Sequence, residues 1–476
     1  MNRRRTYPLL TVFGLAIVAA CSSKSSGGGG DGGAMFTTDA SFDTGGDTSV
    51  SDGGPKDGTA SDGDAAVTPI SAGSTGAFGI VTVGGKQKLY LPTTTAGDGG
   101  DAVVAVVDVG VAGHGVAGAP ALITSVDLGT TNYATTTGGD PTMVVAASIA
   151  TNDVWFINPV TDTLVKHITL DGTFGTSSFS GGGGYVTGIA IEPVSHTAIL
   201  SVWNGFALVD MATQTITKVI VAPPSENFGF DSAHGYIYAP YYSCTSATAP
   251  DGGTSAACGV PMTPGDANMV MTDGLSVIDV ATGKVFNYED PNALDPNNPV
   301  GSEPDSAGAD PTSQIVMVPS EGNGYQNVID FSKATFDMAT MTVTAPHQVV
   351  QGVALEGVAI EPNSHIAFLE GEGSPNIAFI NLPSANTGNQ GWVGGAMPNV
   401  PGGANFSNLG DPHGIAVTTS IINGKAVGFV VDNSWQWVAR VDLGSLATLE
   451  QADASVTAGT TQLQAAVTYL DATTIE

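Results

Sequence analysis

The chain has 476 residues, with 13 Lys and Arg against 44 Asp and Glu, and a formal charge of −31. A surface this acidic repels phosphate backbones, which argues against nucleic acid as a partner. Only 12% of residues are charged while 64 are Gly, a balance suited to short strands and tight turns and unsuited to salt-bridged helices.

The chain opens with Arg3, Arg4 and Arg5, followed by an uncharged apolar run over residues 9–20. That run is shorter than the ~20 residues a membrane-spanning helix needs. A basic start, a short apolar core and small residues at its end describe an export signal. The end reads Val18-Ala19-Ala20-Cys21 and resembles a bacterial lipobox. The resemblance implies that residues 1–20 are a lipoprotein signal peptide. Cys21 then becomes the mature N-terminus and carries a diacylglycerol with palmitate-type chains. Ser22, not an Asp, follows the cysteine, a pattern that in Gram-negative lipoproteins favours the outer membrane. The expected location is therefore the cell envelope, with the chain lipid-anchored at the outer membrane. Arg4-Arg5-Thr6-Tyr7 also faintly resembles a twin-arginine signal, so the export route stays open.

From Ser22 the composition turns to Gly, Ser, Asp and Thr, with four glycines at 27–30 and repeated Asp-Gly pairs. Nothing there offers apolar surface to offset the entropy of ordering, so residues 21–70 read as a disordered, acidic tether. The carboxylates lack the spacing of a calcium-binding loop. Cys244 and Cys258 remain once Cys21 is assigned to lipid, and an oxidising compartment makes a disulfide their default reading.

Beyond residue 75 one phrase recurs: an apolar run ending in Val or Ile, then Asp or Asn. It closes at Asp108, Asn158, Asp210, Asp279, Asp330, Asn381 and Asp442, at intervals of 50, 52, 69, 51, 51 and 61 residues. Val126-Asp127 also fits and reads as an outer strand of the first unit. A period near fifty with four short strands per unit is the signature of a propeller blade. The expected fold is all-β, a seven-bladed β-propeller over residues 75–476. The third unit divides into strands at 188–191, 197–202, 206–210 and 216–221. Glycine opens inner strands at Gly188, Gly357 and Gly414, where a Cβ would crowd the axis. The Asp or Asn after strand three is placed to bond backbone two residues on and start the turn.

Residues 275–285, reading Leu-Ser-Val-Ile-Asp-Val-Ala-Thr-Gly-Lys-Val, resemble the YVTN-type β-propeller repeat. Residues 154–165 and 207–219 follow the pattern, with Thr161 and Thr213 matching Thr282. The fifth unit departs from it, because the turn after Asp330 lacks the threonine. The resemblance implies a fold, and propellers of this kind serve as binding platforms and as enzymes. Residues 467–470 read either as the outer strand of blade seven or as a strand paired with another blade.

Loops entering the inner strands and loops joining strands two and three share one face. The glycine run at 181–184 and a long insertion at residues 243–274, bearing Cys244 and Cys258, fall there. The residues before three inner-strand glycines, Thr187, Glu356 and His413, are expected at the mouth of the central channel. A carboxylate and an imidazole there, with Asp310 or Asp411, suit a divalent metal or a shared proton. His196 and His365 sit in Pro-x-Ser-His turns on the opposite face and read as structural. No G-x-S-x-G, HExxH or P-loop phrase occurs. The preferred reading is a binding or scaffolding module for an unidentified protein or glycan, with Trp203, Tyr241, Tyr242, Trp435 and Trp437 as aromatic contacts. Its alternative is a metal-assisted, lactonase-like hydrolase or lyase resting on Glu356 and His413.

Overall fold

The computed structural model describes residues 78–96, 101–110, 120–148, 151–170, 186–202, 205–223, 225–241, 273–290, 299–301, 304–320, 324–351, 355–371, 376–388, 392–398, 412–432, 437–450 and 465–475. The lipobox, the tether, both cysteines of the insertion, Trp203, Tyr242, Asp411 and Trp435 lie outside the described residues. So do the side chains of His413 and Trp437. No helix among the described residues is long and apolar enough to cross a membrane.

The strands form a seven-bladed β-propeller, each blade an antiparallel sheet of four strands ordered from axis to rim. Blade one runs from Gly79–Val83 to Pro120–Asp127, blade two from Thr136–Asp140 to Thr163–Thr169, and blade three from Val186–Glu192 to Thr215–Val221. Blade four runs from Gly229–Asp231 to Lys284–Tyr288 and blade five from Gly308–Asp310 to His347–Gln351. Blade six runs from Gly357–Glu361 to Trp392–Ala396 and blade seven from Pro412–Thr419 to Val467–Ile475. The middle strands are rich in β-branched and aromatic residues and apolar on both faces, as in Asp153–Asn158 and Ile315–Ser320. A sheet apolar on both faces must be covered on both, so the core lies between blades. Seven hydrophobic clusters result, one at each blade boundary. Phe206 of blade three meeting Ile237 of blade four is one example, and Phe429 of blade seven meeting Leu89 of blade one is another.

Two turns repeat around the ring. After strand three, the side-chain oxygen of Asn158 or Asp279 accepts the backbone N–H two residues on, at 2.9 Å in each case. The fifth turn position then takes a left-handed φ: 53° at Asp162, 51° at Gln214, 75° at Gly283. Inner strands end alike. Asp140, Asp231, Asp310 and Glu361 cap the following turn, and His196, Gln314 and His365 adopt φ of 52°, 57° and 58°.

Blade five explains its missing threonine. Its third strand, Tyr325–Asp330, leads into a short 3-10 turn and then a hairpin, Thr335–Asp337 with Thr342–Thr344, before the outer strand begins. The hairpin carries its own Asp337-Met338-Ala339-Thr340 turn, with φ 55° at Met341. It adds in parallel to the rim strand of blade four, pairing Asn287 with Thr342 and Tyr288 with Val343. Phe331 and Val343 are buried there with Tyr238 and Phe286, and Phe336 stacks on Tyr236 at 5.5 Å.

The ring closes without sharing strands between the chain's two ends. The outer strand of blade seven, Val467–Ile475, pairs antiparallel with Trp437–Val441 and parallel with the outer strand of blade one. Residues 467–470 are therefore the outer strand of blade seven, paired with 438–441, and the pairing with blade one falls beyond them, at Asp471 and Ile475. Near the axis, the Phe78 amide donates to the Ile415 carbonyl at 3.2 Å. A Cβ on Gly414 would overlap the Phe78 ring, so only glycine fits.

Candidate functional site

Among the described residues, polar groups at the entries to the inner strands link neighbouring blades. The Gly79 amide donates to Thr137 Oγ1 at 2.9 Å, linking blades one and two. The Val186 amide reaches the Ser148 carbonyl at 3.1 Å, linking two and three. Thr187 is 6% exposed, and its hydroxyl donates to the Ser225 carbonyl at 2.8 Å on the approach to blade four. The Asn227 amide bonds the Asp305 carbonyl at 3.1 Å, and Ser306 Oγ bonds the Glu356 carbonyl. Inner strands approach so closely that a Cβ on Gly229 would stand 2.9 Å from the Ala309 nitrogen.

Of the sequence-predicted mouth residues, Thr187 and Glu356 occupy corresponding entries in blades three and six. Both are buried, Glu356 at 4% exposure. The Glu356 amide donates to the Glu370 carbonyl at 2.9 Å, and a Cβ on Gly357 would collide with the Glu370 carboxylate. Two buried carboxylates thus stand on adjacent strands of blade six. His413 has its backbone in the inner strand of blade seven, beside Gly414, and its side chain lies outside the described residues. No cluster of three His, Cys, Asp or Glu side chains suited to a metal occurs among the described residues. The insertion expected at 243–274 lies between the second and third strands of blade four, whose pairing is regular from Tyr241 with Gly274 to Tyr236 with Asp279. Tyr241 itself is a packing residue: its ring lies against Gly274, and burial pushes its hydroxyl up to about 12.

Asp310 corrects the expectation that placed it at the mouth. It ends the inner strand of blade five, where Glu356 precedes the start of its own, so the two belong to opposite faces. There Asp310 caps Thr312 and accepts His365 Nδ1 at 2.7 Å from blade six. The same bond joins His196 Nδ1 to Asp140 of blade two at 2.6 Å. Glu361 reaches Thr419 of blade seven at 2.7 Å. The structural reading of His196 and His365 gains a specific form: each clamps its blade to the preceding one. The repeated acid-Pro-x-Ser phrase at 192–195, 310–313 and 361–364 is the signal in sequence.

The electrostatics of these carboxylates follow from their partners. At Asp140 burial opposes ionisation, yet bonds from Thr142 and His196 outweigh it and hold the carboxyl low. Glu361 is likewise held low by Ser364 and Thr419 against its burial. Asp231 goes the other way, because burial exceeds what His234 returns. Every histidine side chain among the described residues contacts a carboxylate: His167 with Asp153, His196 with Asp140, His234 with Asp231, His347 with Asp290 and His365 with Asp310.

No protein-family model matches the chain, and no curated protein does. Solved structures resemble it at 8–12% identity. One is a complex of KlAtg21 with the coiled-coil of AgAtg16, at TM-score 0.46 and 8% identity over 77% of this chain and 93% of that one. Another is hydrazine synthase of Kuenenia stuttgartiensis, at 0.43 and 12%, over 78% and 96%. A third is Kluyvelomyces marxianus Hsv2, at 0.44 and 9%, over 79% and 92%. Similarities this distant say nothing about activity.

Proposed function

We propose that this propeller is a recognition platform, held in the cell envelope by lipid on Cys21 and presenting a rigid ring to a protein or glycan partner. The observation that carries the reading is the use made of the mouth's polar groups. Thr187, Ser225, Asn227 and Ser306 place hydrogen bonds between blade entries, an arrangement that stiffens a frame. Catalysis by general acid–base chemistry instead wants a titratable side chain within reach of a substrate proton.

The test is affinity capture from envelope extracts on the immobilised chain, compared with a form lacking residues 243–274. A partner held by the first and lost by the second supports the platform reading. Identical recovery from both, or none, counts against it. Elemental analysis addresses the hydrolase alternative: metal that is bound stoichiometrically and lost in both Glu356→Gln and His413→Ala would favour it. Labelling with radioactive palmitate, and its loss in Cys21→Ala, tests the anchor.

A further inference from the structure

We infer that the face opposite the channel mouth contacts lipid, and that an arc of it over blades seven, one, two and three rests on a phospholipid bilayer. Two separate asymmetries of the ring point there. The first is apolar. Among the described residues, every exposed large apolar side chain stands in a rim strand or in a turn on the face opposite the mouth. Val160, in the turn between strands three and four of blade two, is 67% exposed, and Val194, in the first turn of blade three, is 86% exposed. Ile421 and Ile422 stand exposed side by side in the first turn of blade seven.

The turns themselves do not call for these side chains. Val194 occupies the third position of an acid-Pro-x-Ser turn, which Thr312 fills in blade five and Asn363 in blade six. Val160 occupies the position that Ala212 and Ala281 fill in blades three and four. The same turns form with polar or smaller residues, so the exposed valines answer to something outside the fold.

The second asymmetry is charge. No Lys or Arg occurs in any segment that joins strands on the mouth side. Lys86, Lys284, Lys333 and Lys425 stand in or beside turns of the opposite face. Lys88, Lys166 and Lys218 send their ammonium groups to carbonyls of those turns.

The arc is bonded from blade to blade. The Ile421 amide donates to Gln87 Oε1 at 3.1 Å, joining blade seven to blade one. Lys88 Nζ donates to the Pro159 carbonyl at 2.9 Å, and His196 Nδ1 meets Asp140 at 2.6 Å, carrying the contact on to blades two and three. Carboxylates in and beside these turns face inward. Asp108 and Asp140 are buried, Asp162 is held by Lys88 and Tyr90, and Glu192 accepts the amides of Val194 and Ser195. Lys86 and Lys425 are exposed. Residues 110–119, which follow Asp108, carry no carboxylate in sequence. Apolar tips with ammonium groups between them fit a bilayer, whose acyl boundary takes the tips while its phosphates meet the lysines. The tips stand on separate turns of three blades, so a folded partner would need a matching pit for each, and a fluid surface needs none.

The experiment mixes the full chain with vesicles of phosphatidylethanolamine and phosphatidylglycerol bearing brominated acyl chains. Its readout is the tryptophan quenching that Val194→Trp adds to the native chain, with Val349→Trp on the rim of blade five as reference. Quenching at 194 and none at 349 is expected; equal quenching at both, or none at 194, overturns the proposal. Tryptophan seeks membrane interfaces on its own, so Val194→Trp is repeated with Val160→Asp and Ile422→Asp. That chain should need roughly tenfold more lipid for the same quenching, and an unchanged requirement also overturns it. A native chain that sediments as a dimer, is split by Ile422→Asp and shows no quenching at 194 would mean that the tips join two copies. Quenching at 194 requires no partner at the mouth, so this face is tested separately from the recognition platform.

Discussion

His365 shows how one side chain does two jobs in this ring. Its φ of 58° is a conformation L-residues rarely adopt, and its Nδ1 supplies the bond to Asp310, a carboxylate with no solvent exposure. His365→Ala loses the bond and keeps the backbone cost, so unfolding by urea should show a loss of about 1–2 kcal/mol. His365→Gly should lose less, because glycine takes a left-handed φ freely. Asp140 sets the acid limit of the matching clamp in blade two. Its carboxyl is held below the ordinary range, so its contribution is complete above about pH 4 and is lost as pH falls through the lowered value. Thermal scans from pH 6 to 2 should show a shallower acid decline in Asp140→Asn than in the native chain. The sequence marked His196 and His365 as matched, structural positions. It did not show their partners, which lie 56 and 55 residues back in the preceding blade.

At the scale of single elements, the repeat revealed the blades because it records a strand's apolar run and the carboxylate or amide that ends it. What it concealed was displacement. The turn phrase Asp-Met-Ala-Thr occurs at 210–213 and again at 337–340, but counting intervals to Asp330 hid the second copy. Thr187 and Glu356 were singled out by the glycines that follow them, and both lie at the entries of inner strands. That Thr187 is buried and bonded to Ser225 depends on the next blade, which no local pattern encodes. The rim strands carry a related signal. Among the described residues, Thr163–Thr169 and Thr215–Val221 have no strand paired on their outer side, and the second is β-branched at every position but Lys218. Exposed strands of this kind template pairing with other chains. Each has a lysine at its centre: Lys166 Nζ bonds the Gln214 carbonyl at 3.0 Å, and Lys218 Nζ bonds the Val280 carbonyl at 2.6 Å. An antiparallel pairing of two copies centred on Lys218 would oppose two ammonium groups. Lys218→Thr should therefore leave the fold intact and promote concentration-dependent association, read by sedimentation velocity. A strictly monomeric Lys218→Thr would show that the lysine serves only to hold the neighbouring turn.

Across the whole ring, each later blade leans on the one before it. The blade-five hairpin covers the rim of blade four, the helix Leu382–Asn386 of blade six packs on blade five, and the helix Leu443–Glu450 of blade seven packs on blade six. A chain of such overlaps has two ends, and the strand Val467–Ile475 joins them. It completes blade seven through five residue pairs and runs on beside the outer strand of blade one, where Asp471 pairs with Pro120 and Ile475 with Leu122. Its Tyr469 and Leu470 belong to different clusters, one between blades six and seven and the other between seven and one. Closure therefore combines the rim pairing with burial and, near the axis, the Phe78–Gly414 contact. Removing residues 465–476 uncovers both clusters at once, and losing two large buried side chains costs on the order of several kcal/mol. With an open boundary between blades one and seven, the terminal blades should unfold ahead of the rest. Calorimetry should then show an early shoulder and a van't Hoff enthalpy below the calorimetric one, a departure from two-state melting that the closed native ring should show less. A truncated chain that still melts in one transition at the native temperature would mean that the inner contacts alone close the ring.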